Sequence, residues 1–299
     1  MTVGHPHTVV TGASSGIGRA TALCLAAEGQ HVFAGVRRDA DGAALHDAAR
    51  DGELTPVRLD VTDPEQIAEA RELVAGHVGG AGLSGLVDNA GIGMVWPLEL
   101  VPLDAVRQQF EVNVFGQLAV TQAFLPLLRR ARGRVVVIGS IGDRLTMPFA
   151  GVLCASKAAL ASLAEALRQE LAPWDVGVVL IEPASIHTEA VDKLERDARR
   201  AVESFPPDGR ELYQDAYQRM VAAFAAGERE GSSPEVVAEV VATALTARRP
   251  RARYLVGKDA RRLAALAAVA PTGVFDALRR RLFGLPAPGS RALATPHSR

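Results

Sequence analysis

The chain has 299 residues, 48% of them hydrophobic and 22% charged, with 33 Lys and Arg against 34 Asp and Glu. That length and apolar content can bury about 75% of the unfolded surface in a single domain, which excludes disorder as the main state. The longest apolar runs, 135–138 and 176–181, are far short of the ~20 residues of a membrane helix, and the balanced charge gives no sign of a nucleic-acid partner.

The first ten residues carry His and Pro and enter an apolar strand directly, without a basic and then apolar leader, so a cytoplasmic location is expected. Apolar β-rich runs then recur at 7–11, 31–36, 56–61, 83–87, 134–139, 176–181 and 254–256, separated by stretches with helical three- and four-residue spacing. Strand and helix in alternation predict an α/β fold, a doubly wound parallel sheet in one domain. Val135 to Ile138 is continuously apolar, as a strand covered on both faces should be.

Two regions break the rhythm. The stretch 184–233 is long, charged and interrupted by Pro206 and Pro207, which suits a lid over a site. Beyond a main domain at 1–257, residues 258–299 are expected to form a helical extension of two amphipathic helices split by Pro271, ending in a frayed basic tail. From Arg248 to Arg299 there are 12 basic and 2 acidic residues, net +10, against −11 for the first 247. No aromatic residues interleave with that charge in the manner of a nucleic-acid surface, so it reads as a solvated or dimer-facing basic tail, with contact to acidic lipid or nucleic acid as the lesser alternative. Two cysteines, Cys24 and Cys154, exclude a disulfide framework, and the seven histidines lack the spacing of metal ligands, so no metal is expected.

Directly after the first strand comes Thr11-Gly12-Ala13-Ser14-Ser15-Gly16-Ile17-Gly18, and a helical pattern follows. Glycines there permit a tight turn and close backbone approach to a pyrophosphate, while the helix N-terminus supplies unpaired N–H donors. The second strand ends in Val36-Arg37-Arg38 with no acid to bond a ribose 2′-hydroxyl, and arginine offers a planar fork for a 2′-phosphate instead. NADP(H) is therefore the expected cofactor.

The spacing Thr-Gly-x-x-x-Gly-x-Gly resembles the fingerprint of the short-chain dehydrogenase/reductase family. Further matches stand in family order: Asp60-Val61, Asn89-Ala90-Gly91, Asn113, Ser140, and Glu182-Pro183 through Thr188. The resemblance spans about residues 5 to 260, with Asp88 and Ala184 departing from the family's usual Asn and Gly. It implies a cofactor site of Gly12, Ser14, Ser15, Gly16, Ile17, Gly18, Arg37, Asp60, Val61, Asn89, Ala90, Gly91, Lys157, Pro183, Ile186 and Thr188. It also implies catalysis by Asn113, Ser140, Lys157 and a tyrosine four residues before the lysine. Here that segment reads Leu153-Cys154-Ala155-Ser156-Lys157, and leucine stands at the tyrosine position.

Leucine has no ionisable proton, and the loss of a positioned acid or base costs ~10² to 10⁴ in rate. Of the three tyrosines, Tyr213 and Tyr217 fall in the expected lid and could reach a substrate, and His187 is a further candidate proton donor. Cys154 as a nucleophile is weighed far lower, with no histidine near it in sequence. The leading reading is an NADP(H)-dependent oxidoreductase for a small hydrophobic carbonyl or alcohol. Its rivals are a non-redox isomerase, dehydratase or cyclase that keeps the dinucleotide as scaffold, a silent NADP(H)-binding protein, and a structural partner in a hetero-oligomer. The long helices expected at 103–129 and 153–172 resemble the pairing helices of the family, which implies a homodimer or homotetramer. Residues beyond Gly257 resemble, over a short stretch, the hydroxysteroid and retinol dehydrogenase branch.

Overall fold

The computed structural model describes residues 6–49 and 52–289. Seven strands, β1 (His7–Val10), β2 (His31–Val36), β3 (Leu54–Arg58), β4 (Gly85–Asp88), β5 (Arg134–Ile138), β6 (Gly177–Pro183) and β7 (Arg253–Val256), form one sheet in the order β3-β2-β1-β4-β5-β6-β7. Every pairing is parallel. The chain leaves the edge at β3 and returns to the centre at β4, so the order reverses beside β1 and opens a crevice at the carboxyl ends of those two strands.

Alternate side chains of each strand feed two hydrophobic layers. On one face Phe33, Leu86, Val135 and Val137 pack with α3 (Pro64–Val78), α5 (Gln117–Ala131) and α6 (Gly151–Glu170), and Phe124 at its centre is fully buried. On the other, Val10, Val87, Val136 and Ile138 meet α1 (Gly16–Ala27) and α9 (Glu235–Thr246), while Leu45 of α2 (Asp39–Ala48) covers the flank. The continuous apolar strands are thus explained by burial on both sides.

Several expected boundaries move. The third strand stops at Arg58, because the Asp60 carboxylate accepts from the backbone and hydroxyl of Thr62 and turns the chain. The fifth ends at Ile138, and Ser140 lies in the loop beyond it. The helix expected across 103–129 is α4 (Leu103–Phe110), one π-helical stretch at Glu111–Gly116, and α5. Gly116 sits against the third-strand loop so closely that a Cβ there would lie 2.7 Å from the Val61 carbonyl oxygen.

The stretch expected as a lid carries α7 (Ala190–Glu203) and α8 (Pro207–Arg229), which pack on each other and on a third cluster containing Val95, Cys154, Phe205, Tyr217 and Met220. After β7 come α10 (Ala260–Val269) and α11 (Thr272–Leu282), separated at Pro271 as expected. Phe283 joins the third cluster, and Arg219 Nε donates to the Gly284 carbonyl, so this end of the chain is fastened to α8. The basic tail at 290–299 lies outside the described residues. Among the described residues no helix is long and apolar enough to cross a membrane.

Candidate active site

Thr11 and Asn89 close the turn at the crevice. Thr11 Oγ1 accepts from the Asn89 and Ala90 amides at 2.9 and 3.0 Å, and Asn89 Nδ2 donates back to the Thr11 and Gly12 carbonyls at 2.9 and 3.2 Å. Behind them Asp88 is fully enclosed; burial pushes its carboxyl up to about 7, against the hydrogen bond from Thr121. Gly12 lies at φ +64°, and a Cβ on Gly18 would fall 2.2 Å from the Gly12 carbonyl oxygen, so the turn admits no side chain at either place. The first turn of α1 carries no acid, and no side chain caps it, leaving its N–H groups directed at the crevice. With Arg37 exposed beside it, this cradle fits an anionic dinucleotide.

A cleft of about 810 Å³ runs over the strand ends, within the usual range for ligand sites. Each residue expected to touch the dinucleotide lines it: the turn Gly12 to Gly18 apart from Ala13, then Arg37, Asp60, Val61, Asn89, Ala90, Gly91, Lys157, Pro183, Ile186 and Thr188. Ser140 and Leu153 line it too. Arg38 does not, and its guanidinium instead forms a two-bonded ion pair with Asp41 at the start of α2.

Asn113 is fully buried and stays out of the cleft. Its amide oxygen accepts from the Ile92 N–H at 2.8 Å, and its nitrogen donates to the Ile92 carbonyl and to Ser156 Oγ. It therefore ties the loop after β4 to α6, a positioning task for which the π-helical turn aims it. Ser140 Oγ accepts from the Gly142 N–H at 3.0 Å, which leaves its own proton for a ligand. Lys157 Nζ donates to the Ile138 carbonyl at 3.0 Å, and burial pushes its ammonium down to about 8. Leu153 stands one helical turn before Lys157, opposite Gly93.

The candidates for a substitute proton donor are placed differently from expectation. Tyr217 is fully buried; its hydroxyl donates to the Val95 carbonyl at 2.8 Å, and burial holds the phenol well above its ordinary range. Tyr213 donates to Glu99, which raises its pKa, and it also lies off the cleft. His187 lines a separate cleft with Arg19, Glu189 and Glu235, on the far side of Gly16. Burial raises the Cys154 thiol, which points to the Leu145 carbonyl within the third cluster. Tyr213, Tyr217 and Cys154 pack in the third cluster and His187 lines a second cleft, so none of the four lines the cleft over the strand ends.

Two features escaped the sequence. Glu228 of α8 lines the cleft and accepts from the Ile186 N–H at 3.2 Å, and burial pushes its carboxyl up to about 7. Next to Ser140, Asp143 and Glu182 lie against each other, with Arg144 forked onto Glu182 at 2.6 and 3.1 Å and Arg253 reaching both acids. Burial first, and then the Glu182 carboxylate, pushes Asp143 up to about 7. Neither contact joins residues near in sequence, which is why spacing did not reveal them.

The seven-stranded parallel sheet and its crevice define a Rossmann-like protein. Residues 6–199 match the family described as short chain dehydrogenase. The chain is 35% identical over 301 residues to estradiol 17-beta-dehydrogenase 2 of Mus musculus, covering 97% of this chain and 77% of that one. It is 36% identical over 288 residues to 17-beta-hydroxysteroid dehydrogenase type 1 of Homo sapiens, covering 92% and 85%. Among solved structures, a short chain dehydrogenase from Burkholderia cenocepacia J2315 in complex with NADP aligns with a TM-score of 0.68 at 28% identity, over 94% of this chain and 99% of that chain. One from Burkholderia phymatum in complex with NAD aligns with a TM-score of 0.70 at 27% identity, over 85% and 90%. The chain belongs to the short-chain dehydrogenase/reductase family of oxidoreductases.

Tyr217→Phe should cost about 1 to 2 kcal/mol, because it strands the buried Val95 carbonyl, and should leave turnover unchanged. Denaturant unfolding and initial rates check both halves; a large loss of rate at unchanged stability would return Tyr217 to the chemistry.

Proposed function

We propose that the protein is an NADP(H)-dependent oxidoreductase that converts a small, largely apolar carbonyl or alcohol by a proton route without tyrosine. One observation carries the reading: a single cleft joins the glycine turn and Arg37, near the ends of β1 and β2, to Ser140, Lys157 and an apolar wall beyond β5. Gly12 to Gly18 and the α1 N-terminus would hold the pyrophosphate, Arg37 and Ser14 the 2′-phosphate, Lys157 the nicotinamide ribose, and Ile186 and Thr188 the carboxamide. When bound, the dinucleotide supplies or takes the hydride.

The chain's own part is the proton. Ser140 keeps its O–H for the substrate oxygen, and Lys157, pushed down to about 8, titrates where a general acid or base works best. Leu153 makes that stretch of wall apolar and dry. Asn113 ties the loop after β4 to α6. Assembly through the α4–α5 segment and α6 into a homodimer or homotetramer belongs to the same reading, and the exposed Leu103 and Phe115 on that segment support it. A second reading, a non-redox enzyme or silent NADP(H) binder, is favoured by the lack of any tyrosine along the cleft among the described residues.

Three outcomes are expected. Arg37→Asp should weaken NADPH binding by ~1 to 3 kcal/mol and spare NADH, as titration calorimetry would register; equal affinity of the parent for both dinucleotides contradicts it. Protonated Lys157 is the acid in reduction, so kcat/KM for a ketone should fall as pH rises through about 8, and a flat profile excludes it. Leu153→Tyr should raise ketone reduction by ~10² or more, the size of an added general acid. No change in reduction, together with loss of the natural reaction, would favour the second reading.

A further inference from the structure

The substrate side of the cleft is walled by the C-terminal helices. Leu278, Leu282 and Phe283 of that segment line it together with Leu153, Met147 and Phe224. Among the described residues, one cation besides Lys157 lines this end of the cleft. Of the three consecutive arginines of α11, 279 to 281, only Arg279 lines the cleft.

Arg279 is held in place but incompletely paired. Its guanidinium stacks over the Phe275 ring at 4.1 Å, and Nη1 donates to Asp276 Oδ1 at 3.1 Å, where Asp276 is 45% exposed. Such a half-exposed pair within one helix is weak. The Nε–H is buried without a partner, an arrangement proteins avoid unless a ligand or water completes it. The charge also extends to the first turn of α6, where it opposes the burial that raises the Cys154 thiol, next to Leu153.

The other charged groups along the cleft are accounted for. Arg37 and Asp60 flank the ends of β2 and β3, Lys157 bonds to Ile138, and Glu228 bonds to Ile186. Glu111 belongs to the π-helical turn after α4. A dinucleotide already finds its phosphate partners at the glycine turn and Arg37, so Arg279 is surplus to cofactor binding. A guanidinium that lines the cleft among Leu278, Leu282 and Phe283, with only a half-exposed ion pair to Asp276, suits a carboxylate or similar anion at the end of an apolar body.

We propose that Arg279 is a specificity-determining residue that binds an anionic group on the substrate, remote from its reacting carbon, so that the substrate is an amphipathic oxo or hydroxy acid. The proposal rests on the function above only for the reacting end; the anion site is tested by binding alone. Calorimetry of the full-length protein, with and without NADPH, should show decanoate bound about tenfold or more tighter than methyl decanoate, the scale of one charge-assisted contact. Arg279→Gln should erase that preference and leave methyl decanoate binding unchanged, while Arg279→Lys should keep part of it. Equal binding of acid and ester by the parent overturns the proposal. So does a parallel loss of both probes in Arg279→Gln, which would make the arginine a prop for α11. A decanoate preference that depends on Arg279, together with failure to oxidise NADPH with any oxo acid, supports the anion site and sinks the redox reading.

Discussion

The clasp between Thr11 and Asn89 is the constraint on which the site depends. Four hydrogen bonds cross between the ends of β1 and β4, the two strands at which the sheet reverses its order. They satisfy backbone groups that a tight glycine turn would otherwise leave bare, each contributing about 1 kcal/mol when buried. More important, they fix where the α1 N–H groups point. The close approach of Gly12 and Gly18 at that turn depends on their lack of side chains, since a Cβ on Gly18 would fall 2.2 Å from the Gly12 carbonyl oxygen.

Burial acts on the ionisable groups around that crevice in one consistent direction. Lys157 is pushed down, and Asp88, Asp143 and Glu228 are pushed up, all toward neutrality. The low-dielectric surroundings remove charge from the walls and leave the groups titrating near physiological pH. Glu182, fully buried, is paired with Arg144 and Arg253, which supply the opposite charge that its enclosure requires.

Much of this was legible in the sequence, because it depends on local order. Strand runs, the glycine turn and the residues that follow β4, β5 and β6 lie where chain order places them, and each expected cofactor residue lines the cleft. What stayed hidden depends on which way a helix faces. Tyr217 and His187 lie within a few residues of cleft-lining positions, yet one faces the third cluster and the other a second cleft. Glu228 meets Ile186 across 42 residues, a contact no spacing rule reports. The strand ends shifted by one to three residues where a side chain, Asp60 at β3, offered the backbone a turn in place of another rung.

The helices α8, α10 and α11 contribute one wall of the cleft. The stretch that matches the family ends at residue 199, whereas Ala223, Phe224, Leu266, Phe275 and Arg279 all come later in the chain. Residues from both sides of position 199 therefore close one cleft, Met147 and Leu153 from the first part and Phe224, Leu278 and Arg279 from the second. A chain cut at residue 199 would keep the glycine turn but leave the cleft open on the side that α8, α10 and α11 cover.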